Sequence, residues 1–179
     1  METALITGAS RGLGLAMAGA LGRAGVVVGM IARSREALEA AARTIDAPAV
    51  RAWPGDVTDH DFMRRVVAEA ERELGPITLL VNNAGILGPI GPLADVAHDD
   101  WWRTVEVTVR GPALAMQLVL PRMCGRGRGG GGEAVRRVHL RPGAGNGGHR
   151  HDALLDRVGG WSPLDSVVQA LCRDLRLLA

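Results

Sequence analysis

Apolar residues alternate between two textures over the first two thirds of the chain. Short, mostly apolar runs at 4–6, 26–31, 50–53 and 77–81 are separated by longer stretches in which apolar positions return every three or four residues. Short runs with few polar interruptions suit strands buried on both faces, and the wider spacing suits helices with one buried stripe. The first helix is predicted over 12–24, with Leu13, Ala16, Met17, Ala20, Leu21 and Ala24 on one face and Gly25 as its stop. Ser34 is placed to cap a second helix running to about residue 44. Thr58 with Asp61 resembles a capping box for a third, whose face is Phe62, Val66, Val67, Ala70 and Leu74 before Gly75-Pro76. Asp99 or Asp100 is placed to cap a long helix with Trp102, Val105, Val109, Ala113, Met116 and Leu120 as its buried face. Strands alternating with helices predict an α/β fold: a doubly wound parallel sheet in three αβα layers.

Past Met123 the texture changes. Residues 125–132 hold six glycines and two arginines, and no period of either kind returns before about residue 160. A weak strand is possible over 134–140, although Arg136, Arg137 and His139 sit badly in a buried sheet. Helical spacing resumes with Ser162 as cap, Pro163 in the first turn, and Leu164, Val167, Val168, Leu171, Leu175 and Leu178 on one face. The expected organisation is one domain over 1–179. It comprises a regular half (1–123), an irregular Gly/Arg-rich segment (124–161) and a terminal helix (162–179).

Composition changes this picture at three points. With 47% apolar residues and a formal charge of +2, a single globular core is expected. The charge is uneven: residues 122–157 carry eight arginines against Glu133, Asp152 and Asp156, or +5, which leaves −3 elsewhere. No aromatic residues interleave with those arginines for base stacking, so a solvated loop is preferred to a nucleic-acid surface. No run is long and apolar enough for a membrane span, and the first strand begins near Thr3, so the expected compartment is the cytoplasm. Cys124 and Cys172 read as ordinary thiols, and His139, His149 and His151 lack partners at metal-ligand spacing. The third point is an absence: the chain contains no tyrosine and no lysine.

The candidate chemistry begins at Thr7-Gly8-Ala9-Ser10-Arg11-Gly12-Leu13-Gly14, between the first strand and the first helix. Gly8 permits a tight turn, Gly12 permits backbone to approach a pyrophosphate, and Gly14 permits close packing of the helix. An anion there would meet free N–H groups at a helix N-terminus. Asn82-Asn83-Ala84-Gly85 follows the fourth strand at its carboxyl end, where open parallel sheets bind ligands.

These motifs resemble those of the short-chain dehydrogenase/reductase family. The T-G-x-x-x-G-x-G turn is Thr7 to Gly14, the Asp after the third strand is Asp56 followed by Val57, and N-N-A-G is Asn82 to Gly85. A Trp-led helix ending in L-P-x-M runs from Trp101 to Met123. The resemblance implies a Rossmann-type domain that transfers hydride between NAD(P) and an alcohol or carbonyl. It implies cofactor contacts at Gly8, Ser10, Arg11, Gly12, Leu13, Gly14, Arg33, Ser34, Asp56, Val57, Asn83, Ala84 and Gly85, with Asp56 at the adenine. NAD-preferring members carry an acid after the second strand. This chain has Ala32-Arg33-Ser34 there and Arg11 in the turn, which suits the 2′-phosphate of NADP. The alternative is that Arg33 is a solvated helix-start residue. The resemblance also implies dimer contacts through helices at 101–120 and 163–178.

The family's catalytic set departs from this chain. Its members use a Tyr, a Lys four residues later, a Ser, and an Asn on the long helix. The Asn position falls on Thr108, and the other three would lie between about 138 and 162, where none can be carried over. A phenol with an ordinary pKa of about 10 needs an adjacent cation to act near neutrality, and both groups are missing. Relatives continue through further strands and a substrate loop. The expectation is a cofactor-binding chain with impaired catalysis. The alternatives are a pseudoenzyme partner of an intact relative and a frameshifted fragment that folds poorly. Displacement of the reading frame across the irregular segment would join these facts: Leu154-Leu155-Asp156 as CTA-CTC-GAC reads Tyr-Ser one base on. A divergent loop is the other explanation.

Overall fold

A computed structural model describes residues 1–127 and 138–140. The elements are β1 (Thr3–Thr7), α1 (Gly12–Arg23), β2 (Val27–Ala32), α2 (Arg35–Ala42), β3 (Val50–Pro54), α3 (His60–Leu74), β4 (Leu79–Asn82), α4 (His98–Val105), a π-helical turn (Glu106–Arg110), α5 (Gly111–Gly127) and β5 (Val138–Leu140). All strands are parallel, in the order β3-β2-β1-β4-β5. The chain winds outward from β1 in one direction through β2 and β3, then crosses to β4 on the other side. That reversal between β1 and β4 creates a crevice at their carboxyl ends.

Every residue of β1, β2 and β4 is buried, as expected for strands covered on both faces. Leu5, Ile31 and Leu80 pack against Met63, Val66 and Val67 of α3 and Ala115, Val119 and Met123 of α5. Burial of each such large side chain contributes about 1.5–3 kcal/mol relative to exposure. The start of the sheet is pinned by Thr3 and Thr78: the Thr3 N–H donates to the Thr78 hydroxyl at 3.0 Å, and the Thr3 hydroxyl donates to the Leu74 carbonyl at 3.0 Å.

The Ser34 cap is present, its hydroxyl accepting from the Ala37 N–H at 3.3 Å. The capping-box expectation at Thr58 is corrected. Asp59 caps α3, accepting from the N–H groups of Asp61 and Phe62 at 3.0 Å each, while Thr58 is drawn into a turn by Asp56. Neither Asp99 nor Asp100 caps α4. Ala97 occupies that position without a side-chain bond, and both acids lie in the first turn, where the helix dipole favours them.

The long helix departs most from expectation. Its π-helical turn inserts an extra residue, which rotates everything beyond it by about 100° relative to an uninterrupted helix. Trp102 is 49% exposed and Val109 61% exposed, although the spacing predicted both as buried. Val107, Leu114, Ala115, Val119 and Met123 face the core, and of the predicted face Met116 and Leu120 are partly buried against it. A period assumed constant along 101–120 was the wrong template.

The backbone of 138–140 pairs in parallel with β4, Val138 opposite Leu80 and Leu140 opposite Asn82, within the weak strand expected over 134–140. The terminal helix expected over 162–179, His149, His151 and Cys172 lie outside the described residues. Cys124 is an exposed free thiol.

Candidate cofactor cleft

A cleft of about 900 Å³ opens at the carboxyl ends of β1, β2 and β4. The turn after β1 contributes Gly8, Ser10, Arg11 and Gly12 to its wall. Ala32, Arg33, Ser34 and Ala37 come from the end of β2 and the start of α2. Gly55, Asp56 and Val57 follow β3; Asn83, Ala84, Gly85 and Ile86 follow β4; Val107 reaches in from the π-helical turn. Of the sequence-predicted cofactor contacts, Leu13 and Gly14 alone do not line the cleft, and Thr108, at the family's Asn position, does not line it either.

Each turn glycine has a separate steric reason. Gly8 has φ +67°, and a Cβ there would lie 2.9 Å from the Ala84 Cα. Gly14 is buried behind the wall, where a Cβ would meet the Gly8 carbonyl oxygen at 2.3 Å. Gly12 has φ +56° but a Cβ would meet nothing within 4 Å, so its missing side chain leaves open space at the mouth of α1. The N-cap of α1 is Arg11, which makes no side-chain capping bond. The first N–H groups of the helix thus carry no side-chain acceptor, and a bound phosphate would complete them.

Asn83 is oriented toward the turn. Its side-chain amide donates to the carbonyls of Thr7 at 3.0 Å and Gly8 at 3.1 Å. The Thr7 hydroxyl in turn accepts from the N–H groups of Asn83 at 3.1 Å and Ala84 at 3.0 Å. This lattice ties the glycine turn to the end of β4, so the two motifs form one wall. The Thr7 hydroxyl was missed as a determinant, although its residue opens the glycine motif.

Asp56 accepts on Oδ1 from the Thr58 N–H at 2.9 Å and the Thr58 hydroxyl at 2.8 Å, and its Oδ2 pairs with Arg103. Burial pushes this carboxyl up. The Thr58 and Arg103 hydrogen bonds and the guanidinium charge outweigh that, and hold it below the ordinary carboxylate range. Arg103 is raised in return, chiefly by its bond to Asp56. No periodicity or motif pointed to Arg103. Arg11 and Arg33 are both exposed and both line the cleft, one in the turn after β1 and one after the neighbouring strand β2.

Thr108 is exposed in the π-helical turn, and a Cβ built on Gly85 would lie 3.9 Å from its hydroxyl. The position matched to the family's Asn therefore does border the N-N-A-G segment. The positions for the Ser, Tyr and Lys beyond residue 140 lie outside the described residues. No described helix is long and apolar enough to cross a membrane.

The short chain dehydrogenase family model matches residues 2–135. A short chain dehydrogenase of Pseudocercospora fijiensis is 41% identical over 132 residues, covering 72% of this chain and 42% of that protein. Gluconate 5-dehydrogenase of Gluconobacter oxydans is 40% identical over 128 residues, covering 70% of this chain and 50% of that one. The chain thus spans about half the length of these curated relatives. A solved 3-ketoacyl-ACP reductase from Sinorhizobium meliloti superposes with a TM-score of 0.67 at 37% identity, over 70% of this chain and 50% of that one. A metagenomic short-chain oxidoreductase in complex with NADP gives 0.66 at 31% identity, over 70% and 57%. Glycine turn, β4 segment, sheet order and family match agree along the same residues, and the chain belongs to the short chain dehydrogenase family.

Proposed function

We propose that this chain binds NADP(H) in the cleft at the β1/β4 reversal and does not carry out the family's hydride transfer at a useful rate. The observation that carries the binding half is the open mouth of α1: Gly12 leaves space where a side chain would stand, the helix lacks a side-chain cap, and Arg11 and Arg33 border the same cleft. In this reading the first N–H groups of α1 hold the pyrophosphate, and Arg11 and Arg33 hold the 2′-phosphate. Asp56 accepts from the adenine, with Val57 beside it. Ala84 and Gly85 give backbone room toward the nicotinamide ribose. The metagenomic relative bound to NADP supports the same choice of cofactor.

Bound nicotinamide supplies the hydride donor or acceptor. The chain must then move a proton at the substrate oxygen, and it has no phenol and no ammonium for that work. Thr108 can donate or accept one hydrogen bond, but it lacks the paired donor and acceptor of an amide. Its hydroxyl can hold water beside Gly85 without supplying an acid near neutrality.

Thermal denaturation with each cofactor tests this reading. A ligand at a hundred times its Kd stabilises the folded state by about 2.7 kcal/mol. The expected result is a rise in Tm with NADPH, a smaller rise with NADH, and no ketone-dependent loss of NADPH absorbance. No protection by either cofactor would remove the binding claim, and turnover would remove the claim of impairment.

A second reading, a partner subunit for an intact relative, is favoured by Trp101, Trp102 and Val109, which are 38%, 49% and 61% exposed along α4 and the π-helical turn. Such aromatic area suits an interface. Mixing with a full-length relative and measuring mass in solution tests it: a mixed dimer supports the reading, and separate species oppose it. The gene's nucleotide sequence tests the reading-frame origin. Tyr and Lys codons in the next frame across 134–161 would support it, and their absence would leave a divergent loop.

A further inference from the structure

The acceptor capacity of Asp56 is nearly filled from within the protein. An ionised carboxylate offers about four lone-pair sites. Three donors already sit on this one: the Thr58 N–H, the Thr58 hydroxyl and Arg103 Nη2. Arg103 is itself fixed, donating through Nη1 to the Thr58 hydroxyl at 3.2 Å and to Glu106 at 3.3 Å, and Glu106 also pairs with Arg110 at 3.8 Å. Asp56 borders the cleft and Arg103 does not, so the guanidinium grips the carboxylate from outside the ligand space. The grip spans two elements: Asp56 follows β3, and Arg103 and Glu106 flank the junction of α4 with the π-helical turn.

We infer that Arg103 is a positioning residue for the purine end of the cleft. It orients Asp56 so that a single unfilled acceptor site faces the ligand, which makes the cleft select a purine carrying an exocyclic amino group over one carrying a carbonyl. An amino N–H fills that last site. A carbonyl at the same place sets one acceptor against another, with no donor between them. This inference rests on the proposed placement of adenine at Asp56.

The test compares NADPH with its hypoxanthine counterpart, in which the adenine amino group is replaced by oxygen. Calorimetric titration of the full chain gives a Kd for each. The unsubstituted protein is expected to prefer the amino form by about tenfold, the worth of one charge-assisted hydrogen bond. Arg103→Met is expected to bring the two affinities within about twofold of each other, chiefly by weakening the amino form. A purely structural role would weaken both ligands alike and leave their ratio unchanged, and that result would overturn the inference while sparing the placement of adenine. Equal binding of both ligands by the unsubstituted chain would overturn the placement and the inference together. Arg103→Lys keeps the charge without the planar fork and serves if the Met variant fails to fold. A reduced preference there supports the inference, and an undiminished one overturns it.

Discussion

The side-chain amide of Asn83 donates to the carbonyl of Gly8 at 3.1 Å, across 75 positions of sequence. With its companion bond to Thr7, this contact makes the glycine turn and the N-N-A-G segment one rigid wall. Replacing Asn83 by Ala leaves two carbonyls without that donor, at a cost of about 1–3 kcal/mol in folding free energy. Urea denaturation checks this. An unchanged midpoint and slope would mean that the turn holds its shape without Asn83.

Gly12 and Gly14 stand two residues apart and predict opposite phenotypes. Gly14→Ala drives a methyl to 2.3 Å from the Gly8 carbonyl oxygen, so backbone must move. The expected loss is about 3 kcal/mol of stability or more. Gly12→Ala meets no atom, and costs about 1–2 kcal/mol for its positive φ while placing a methyl where the phosphate would sit. Melting and NADPH titration of both variants separate the cases. A Gly12→Ala chain that binds normally would contradict the cradle.

Arg33→Glu replaces a cation bordering the cleft by an acid able to accept from ribose hydroxyls. The expected result is a fall of about a hundredfold in NADPH affinity, as attraction becomes repulsion, with NADH affinity held or raised. Equal loss for both cofactors would show that Arg33 does not read the 2′-phosphate.

The Asp56–Arg103 pair predicts an acid limb. The folded-state pKa of Asp56 is depressed below its ordinary 3.8. Its stabilising contribution is therefore fully present above that ordinary value and is lost as pH falls through the lower, folded value. Arg103→Met removes part of this depression, so the gap in stability between the two proteins narrows as pH drops below about 4. Chemical denaturation from pH 7 to pH 2.5 measures that gap. A gap constant with pH would mean that the pair contributes no charge-dependent stability.

How much was legible in the chain depends on the range over which each signal acts. Strand runs such as 26–31 announce burial on both faces, because a parallel sheet gives its central strands no polar side. The glycine turn was legible because Gly8 and Gly12 answer to local backbone angles. Arg103 was not legible: its value lies in reaching Asp56, 47 positions away, and arginines on helix surfaces are common. The orientation of Val109, inside the π-helical turn, failed for a different reason, whereas Trp102 precedes that turn in α4, which buries none of its residues. One extra residue in the π-helical turn breaks the period that places side chains, and the residues 106–110 carry no proline or glycine to announce it. The Asp59 cap was displaced by one position for a local cause, since Asp56 claims both polar groups of Thr58.

The most direct measurement is an isothermal titration of the full chain with NADPH and with NADH, followed by addition of a ketone to the NADPH-saturated sample. The account predicts saturable one-site binding, tighter for NADPH, with no oxidation of the bound cofactor after the ketone is added. Absence of binding would contradict the cradle formed by Gly12, Arg11 and Arg33. Steady oxidation would contradict the proposal that a chain without tyrosine or lysine lacks the proton donor that hydride transfer requires.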